Sequence, residues 1–567
     1  MRLWLLDTWL ATLIGARLQR LAEQPESSFA NHPDARQLRE NNEFRCTALS
    51  VRVEAKPGQL RAAADAVLVE LERAKQLSFT AAERARAAAT VSRELSRADD
   101  QTSVQGEAER LVALYLNAEE PIAPHATTAV GQRLLAELDP AALQARAAEW
   151  FERSRRSQLA SRAVGDSSLT SQQELEALVQ SVRARPLSAP VDETRRGLLS
   201  ELPRAGQIVS TEQLPELGLQ LWTLQNGAKV AFKPLDSGPD LVRLRAVRPA
   251  RSVRASRLLS ASAPYVQMVV TDSGVGEHDA EAVRSLLEGT SVWVEPGLSA
   301  ELDRIDGSST AAELELMLQL VHQRVTSPRA DTSVLESYRA QLREPPEPSR
   351  AFESAMHEAL YPGDPSVTTK GVAALELDEL LRFYRDRLGD VGGFTFVIVG
   401  RTNEATLRPL VERFLASLPG SPRAERPPAR KDERRSGVTR VRLPGRAARN
   451  CSVVLEFHGP FQHSARARLE LTALALQLQA DLETALKEQR NAVYSVSVSK
   501  EWSASAYTLR VSFDSLPADV EGLRKATWEV IGKLSRGQIS DLTLESLRAR
   551  LQEGFVRERS SGEFWSQ

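Results

Sequence analysis

Residues 510–520 read RVSFDSLPADV, and residues 50–60 read SVRVEAKPGQL. In each stretch apolar residues alternate with polar ones, a proline follows, and the apolar spacing then becomes helical. Alternation predicts a strand with one buried face, and proline is favoured in the first turn of a helix. The two stretches are the most similar parts of two longer segments, 13–100 and 482–557, in which similar predicted elements follow one another. This internal repeat indicates a chain built from copies of one α+β unit.

The two copies differ in what surrounds them. The later copy is preceded by a predicted strand, CSVVLEFHG at 451–459, whereas no strand precedes the first helix of the earlier copy. The earlier copy continues past the point where the later one stops, through the helical pattern DPAALQARAAEWFERS and the strand-like SQLASRAVG. From this comparison we expect the chain to begin and end inside domains.

A further α+β unit is predicted between the copies. It opens with LWTLQNGAKVAFKP, in which Asn226-Gly227 between alternating apolar residues predicts a tight hairpin. The strand FTFVIVG and the helix NEATLRPLVERFLASLP close the unit. Segments rich in Pro, Arg and Ser predict a linker at 184–217 and a loop at 421–437. The predicted domains are therefore 1–183, 218–420 and 438–567.

The composition is that of an ordinary globular protein. Of the 567 residues, 42% are hydrophobic and 26% are charged, and the formal net charge is -2. No basic excess therefore points to nucleic acid. Two cysteines, Cys46 and Cys451, exclude a disulfide framework and a Cys-rich zinc module. No apolar run reaches the roughly 18 residues of a membrane span.

The N-terminal stretch MRLWLLDTWLATLIGARLQRLAEQ can be interpreted as a signal peptide or as a helix of a folded domain. A signal peptide needs an uninterrupted apolar core, and Asp7 interrupts this one. The alternative is an amphipathic or buried helix. Its apolar stripe consists of Leu3, Leu6, Leu10, Leu13, Ile14 and Leu18.

Six stretches, in this order, carry a resemblance to a known family: WTLQNGAKVAFKPLD, SGVGEHDAEAVRSLLEGTSVWVEP, ELELMLQLVHQRVTSPRAD, FTFVIVG, LRPLVERFLASLP and YSVSVS. None is diagnostic alone, but together they resemble the pitrilysin/insulinase family of zinc metallopeptidases in its long bacterial form. The resemblance covers nearly the whole chain.

The resemblance implies a fold of repeated two-layer α+β domains, in which an antiparallel or mixed sheet packs with helices. Four such domains pair into two halves that close like a clamshell around an unfolded peptide. By this comparison, 1–183 is an incomplete second domain, 218–420 a third domain without a zinc motif, and 438–567 a C-terminally incomplete fourth domain. The first domain of the family is not represented in the chain.

That first domain carries the catalytic motif H-x-x-E-H of the family, whose two His bind zinc and whose Glu is the general base. None of the seven His of this chain stands four residues from another. In the third domain, Tyr265, Met268 and Val269 stand where the His, Glu and His would be, and these residue types cannot form the site. We therefore expect no metal or cofactor in this chain, and Zn²⁺ in the parent enzyme.

Other histidine patterns are weaker candidates. HGPFQH places His458 and His463 five apart across a proline, and a metal site there needs further ligands; a loop after a strand is the alternative interpretation. His357-Glu358 lacks a second histidine, so a solvated helix face is the simpler interpretation.

The resemblance also implies a substrate contact at the end of the chain. In the family, an Arg and a Tyr seven residues apart reach the substrate carbonyl beside the zinc, and Lys487 and Tyr494 fall on these positions. A cation and a phenol can donate hydrogen bonds to an oxygen that gains negative charge. Lys offers a point charge where Arg offers a planar fork. Spacing alone allows a second interpretation. In it, Lys487 is a cation at a helix C-terminus, favoured by the helix dipole, and Tyr494 is an ordinary strand residue.

Two functions follow from these observations. The first is the non-catalytic, substrate-enclosing portion of a zinc metalloendopeptidase, inactive alone, with a zinc-bearing N-terminal domain and a peptide as partners. The second is a peptidase-like binding or scaffold subunit that pairs with a separate zinc-bearing subunit. Long relatives are commonly periplasmic, but no signal peptide is predicted in this chain.

Overall fold

A computed structural model describes most of the chain. The described residues are 2–24, 26–30, 33–40, 46–100, 112, 124–153, 171–188, 197–235, 240–250, 262–299, 302–343, 348–361, 375–421, 435–443, 451–488, 493–503, 506–538 and 541–559. The strand predicted from SQLASRAVG lies outside them. Within them, none of the helices combines the length and the apolar character that crossing a membrane requires.

The first part of the chain is a layer of helices on a two-stranded antiparallel sheet. Its elements are α1 (Arg2–Glu23), β1 (Asp34–Glu40), β2 (Cys46–Arg52), α2 (Leu60–Leu77), α3 (Ala81–Asp100), α4 (Pro124–Ala136), α5 (Pro140–Arg153) and α6 (Gln172–Arg183). The N-terminal stretch is therefore a helix of this part of the fold, as its apolar spacing predicts.

Helix α1 is the centre of the first core. Its stripe is buried apart from Leu3, which is 63% exposed because it lies at the start of the helix. Asp7 is buried, and accepts hydrogen bonds from Arg146 Nε at 2.6 Å and Trp150 Nε1 at 2.8 Å on α5. Asp7, the residue that argues against a signal peptide, therefore links α1 to α5.

Helix α3 begins with a capping box. The Thr80 hydroxyl accepts from the Glu83 N–H at 3.1 Å, and the Glu83 carboxylate accepts from the Thr80 N–H at 2.9 Å. Glu83 also accepts from Arg17 Nε at 2.9 Å. Burial acts to raise the pKa of Glu83, but the hydrogen bonds from Arg17 and Thr80 outweigh it and lower the pKa to about 2.

The middle part is a seven-stranded mixed sheet with the strand order β3-β4-β5-β9-β6-β8-β7. Its strands are β3 (Ile208–Leu214), β4 (Leu219–Leu224), β5 (Lys229–Pro234), β6 (Val242–Pro249), β7 (Trp293–Leu298), β8 (Leu302–Ser309) and β9 (Thr395–Gly400). Its helices are α7 (Ala263–Asp272), α8 (Ala280–Leu287), α9 (Leu314–Thr326), α10 (Thr332–Arg343), α11 (Pro348–Leu360), α12 (Leu377–Leu388) and α13 (Glu404–Phe414).

The hairpin predicted at Asn226-Gly227 joins β4 to β5, and Gly227 has a φ of 83°, which favours glycine. The sheet also extends into the segment predicted as a linker, because β3 pairs with β4. Its residues are mostly polar because it is an edge strand with a single partner, so no alternation marked it. The division of the chain into domains stays a prediction.

The last part contains a three-stranded antiparallel sheet with the order β10-β12-β11. Its elements are β10 (Cys451–Pro460), α14 (Ala465–Leu482), a π-helix (Glu483–Glu488), β11 (Val493–Trp502), β12 (Ala506–Ser515), α15 (Val520–Ser535) and α16 (Asp541–Arg559). In both this and the middle part, a strand, a helix and an antiparallel hairpin follow in order, and the later hairpin strand is central. The two predicted copies also agree, since each contains a helix, an antiparallel hairpin and two further helices: α1, β1-β2, α2 and α3 in the first part and α14, β11-β12, α15 and α16 in the last.

Candidate functional site

The residues predicted to contact substrate lie where α14 ends and β11 begins. Lys487 belongs to the π-helix that continues α14, and Tyr494 is the second residue of β11. The side chains of both lie outside the described part of the structure, so the elements that carry them define the site. Isolated π-helical turns are rare and are frequent at functional sites.

Strand β11 contains a bulge at Tyr494. Val493 pairs with Ser515 and Val496 pairs with Phe513, so two residues of β11, Tyr494 and Ser495, stand opposite one residue of β12. A bulge bends a strand and changes the direction of nearby side chains, and such bulges are over-represented beside active sites. Both members of the predicted pair therefore occupy irregular backbone on either side of the 489–492 connection.

A glutamine of α14 holds β11 next to this bulge. Gln479 Oε1 accepts from the Val498 N–H at 2.6 Å, and Gln479 Nε2 donates to the Val496 carbonyl at 2.8 Å. These two backbone groups point to the same edge of the strand, and they bond to the helix and not to β12. The side-chain amide thus takes the place of a neighbouring strand and fixes the segment that follows Tyr494.

The middle unit has a partly similar contact, with one backbone and one side-chain partner. Gln267 of α7 accepts from the Leu298 N–H at 3.2 Å on β7 and donates to Glu295 at 3.2 Å. Strands β7 and β11 hold equivalent places in their sheets. The sequence alone identified neither glutamine, because a glutamine inside a helix is ordinarily a solvent-facing residue.

Helix α7 also carries the three residues aligned with the zinc motif. Tyr265 is half-buried, Met268 is 39% exposed, and Val269 is fully buried in the core. A phenol, a thioether and an alkyl group do not form the nitrogen and oxygen donor set that a catalytic zinc requires. In the described part of the chain, no three His, Cys, Asp or Glu side chains lie close enough together to hold a metal ion.

The other histidines do not extend the site. His458 lies on β10 opposite Thr508, and His463 follows the strand beside Phe461, at 6.4 Å between ring centroids. His357 lies on α11, where it stacks on Tyr361 at 4.6 Å between ring centroids. Among the described residues, none of these histidines belongs to a group of three or more His, Cys, Asp or Glu side chains that could hold a metal ion.

An ion pair joins the sheet of the last unit to the middle unit. Arg510 of β12 donates to Glu353 of α11, with Nη1 at 3.1 Å from Oε2. The hydrogen bond to Glu353 raises the pKa of Arg510. Since β12 is the central strand of the three-stranded sheet, this contact links the sheet that carries Tyr494 to helix α11.

Comparisons with known proteins agree with this architecture. Residues 374–551 match the family described as Peptidase M16 inactive domain. The chain is 24% identical to the probable zinc protease PqqL of Escherichia coli K12 over 572 residues, which cover 97% of this chain and 61% of that protein. The PqqL of Haemophilus influenzae is 26% identical over 205 residues, which cover 34% of this chain and 22% of that protein. The chain thus spans less than two thirds of either relative.

Solved structures show the same fold. The periplasmic protease PqqL of Escherichia coli matches with a TM-score of 0.56 and 22% identity, covering 98% of this chain and 63% of that one. The ferredoxin protease FusC in complex with Arabidopsis ferredoxin matches with a TM-score of 0.57 and 16% identity, covering 99% and 63%. These matches confirm the predicted α+β fold of repeated helix-and-sheet units. Residues 374–551 therefore match the Peptidase M16 inactive domain, and the chain as a whole is similar to the probable zinc protease PqqL.

Proposed function

We propose that this chain is the non-catalytic, substrate-enclosing portion of a zinc metalloendopeptidase that acts on peptides or unfolded proteins. The observation that carries the proposal is the match to an M16 inactive domain in a chain whose sequence contains no H-x-x-E-H motif. Homology to a zinc protease over 97% of the chain supports the same reading.

In this proposal, 1–183, 218–420 and 438–567 are the second, third and fourth peptidase-like domains. They form walls of a chamber around an extended peptide. Tyr494 and Lys487 donate hydrogen bonds to the peptide carbonyl oxygen at which negative charge develops. The irregular backbone at the bulge and the π-helix, held by Gln479, supports this assignment because it places both residues on a constrained segment.

The partner in this proposal is a zinc-bearing M16 half, which supplies the metal chemistry, and the compartment is the periplasm, as for PqqL of Escherichia coli. The scaffold alternative differs only in whether that half belongs to a separate subunit. Both readings assign peptide binding, and no peptide cleavage, to the chain described above.

This proposal predicts binding of unfolded peptides without turnover. A fluorescein-labelled peptide of neutral net charge, incubated with the purified chain, should show saturable anisotropy and stay intact by mass spectrometry, because the walls of the chamber are present without its metal. A stably folded protein of similar mass serves as the control and should not compete. Cleavage of the peptide that chelators abolish, or absence of any peptide binding, would contradict the proposal.

A further inference from the structure

The seven-stranded sheet has one face that carries a concentration of cations. Strand alternation places Val230, Phe232 and Leu244 in the core under the helices. The residues between them therefore occupy the opposite face. The cations on that face of β5, β6 and β8, which we call the basic face, are Lys229, Lys233, Arg243, Arg245 and Arg304.

The strand register shows that these cations form one patch. Lys229 pairs with Thr395 of β9, which in turn pairs with Val247 of β6, and Val247 pairs with Arg304 of β8. Four residues further along β5, Lys233 pairs with Val399 of β9, which in turn pairs with Arg243 of β6. Neighbouring strands lie about 4.8 Å apart, so the patch spans four adjacent strands and is only roughly 15 Å wide.

The described strands carry three carboxylates on the same face, Asp306, Glu295 and Glu212 of the edge strand β3, against five cations. Asp306 accepts from Arg245 Nε at 2.7 Å and also pairs with Arg304 Nε at 3.3 Å, so two guanidinium groups share one carboxylate. Glu295 on β7 lies opposite Asp306 and accepts from Gln267. The Arg304 side chain is 57% exposed and that of Arg245 is 36% exposed, so both reach solvent.

The corresponding face of the last unit has the opposite charge. Glu456 lies opposite Arg510 in the strand register, and both residues are on that face. Alternation along β11 and β12 places Glu501 and Asp514 on the same face. The single arginine among these four is paired with Glu353 of the middle unit. A positive surface is therefore not a property of the repeated fold but of the sequence of the middle unit.

We propose that the basic face binds acidic segments of an extended peptide substrate. Alternate residues of an extended chain stand about 6.8 Å apart on one side. That is also the separation of Arg243 and Arg245 along β6, so alternate carboxylates of a bound strand can meet successive guanidinium groups. Arginine binds carboxylates through paired donors, which favours this partner over a neutral chain. The inference rests on the proposed function and adds the charge class of the substrate.

The test compares three labelled peptides of equal length in binding to the purified chain: one with alternating Glu, the same with Gln, and the same with Lys. At about 50 mM salt the Glu peptide should bind roughly tenfold more tightly than the Gln peptide, and the difference should shrink severalfold at about 300 mM because salt screens exposed charges. The Lys peptide should bind most weakly.

The variant Lys229→Glu/Arg243→Glu removes two cations and leaves the Asp306 pairs intact, and it should abolish the preference for Glu over Gln. The matched control is Arg382→Glu/Arg385→Glu, which makes the same charge change on exposed residues of α12, in the helix layer on the other side of the sheet. This control should retain the preference. Circular dichroism and the unfolding temperature verify that both variants fold.

The outcomes separate the inference from the proposed function. Equal binding of the Glu and Gln peptides, or a preference that persists in the basic-face variant, overturns the inference while peptide binding itself stands. If none of the peptides binds, the proposed function fails together with it. A preference that both variants lose equally is a net-charge effect and also overturns the inference.

Discussion

Replacement of Tyr494 by Phe in the proposed zinc endopeptidase, with its zinc-bearing half present, should lower kcat/KM by roughly 10²- to 10³-fold with little change in KM. That is the usual effect of removing one donor to a developing oxyanion, because the lost hydrogen bond is strongest in the transition state. The aromatic ring is retained, so packing is conserved. Steady-state hydrolysis of a quenched fluorescent peptide measures the effect.

Tyr507→Phe is the matched control for this prediction. Tyr507 belongs to the neighbouring strand β12 and packs against the core of the same unit. The control substitution therefore removes the same hydroxyl group from a residue that is not predicted to contact substrate. Its turnover should stay within about threefold of the wild type. If Tyr494→Phe turned over peptide as fast as this control, the assignment of a substrate contact at the bulge would be wrong.

Replacement of Asp303 by Ala should destabilise the protein by about 3–5 kcal/mol, because it leaves two buried guanidinium groups without their shared carboxylate. Asp303 is fully buried, and accepts from Arg248 Nη2 at 3.0 Å and from Arg387 Nε at 2.7 Å. Arg248 also donates to the Asp390 carbonyl at 2.7 Å and lies 4.4 Å from the Phe394 ring centroid. The triad thus joins β6, β8 and α12.

Urea unfolding followed by tryptophan fluorescence measures this loss. The control is Asp331→Ala, which removes a partly exposed ion pair with Arg329, in which the two side chains are 33% and 32% exposed. Exposed pairs contribute at most about 1 kcal/mol. Equal unfolding midpoints for the two variants would show that the buried triad adds nothing beyond a surface pair.

Much of the fold follows from local patterns in the sequence. Alternation and the Asn226-Gly227 turn each depend on residues close in sequence, so they predict the repeated unit and its elements. Strand β3 escaped prediction because an edge strand has one partner and little burial, and its residues carry no alternating signal. The prediction of a domain helix for α1 was right because the apolar residues at helical spacing between Leu3 and Leu18 are a stronger signal than the single charge of Asp7.

The candidate site was only partly predictable. Lys487 and Tyr494 entered through the resemblance to a family and not through their spacing. The bulge at Tyr494 and the Gln479 bridge depend on pairing with residues elsewhere in the chain, which a single sequence does not reveal. The same holds for the basic face, since its cations come from strands that are separated along the chain and become neighbours only in the sheet register.

The metal content of the purified chain is the measurement that tests the central claim most directly. If the chain is the substrate-enclosing portion of a zinc peptidase, inductively coupled plasma mass spectrometry after dialysis should find zinc far below one ion per chain, and peptide should remain uncleaved. Stoichiometric zinc that disappears in His458→Ala or His463→Ala, together with peptide cleavage by the chain alone, would contradict the account.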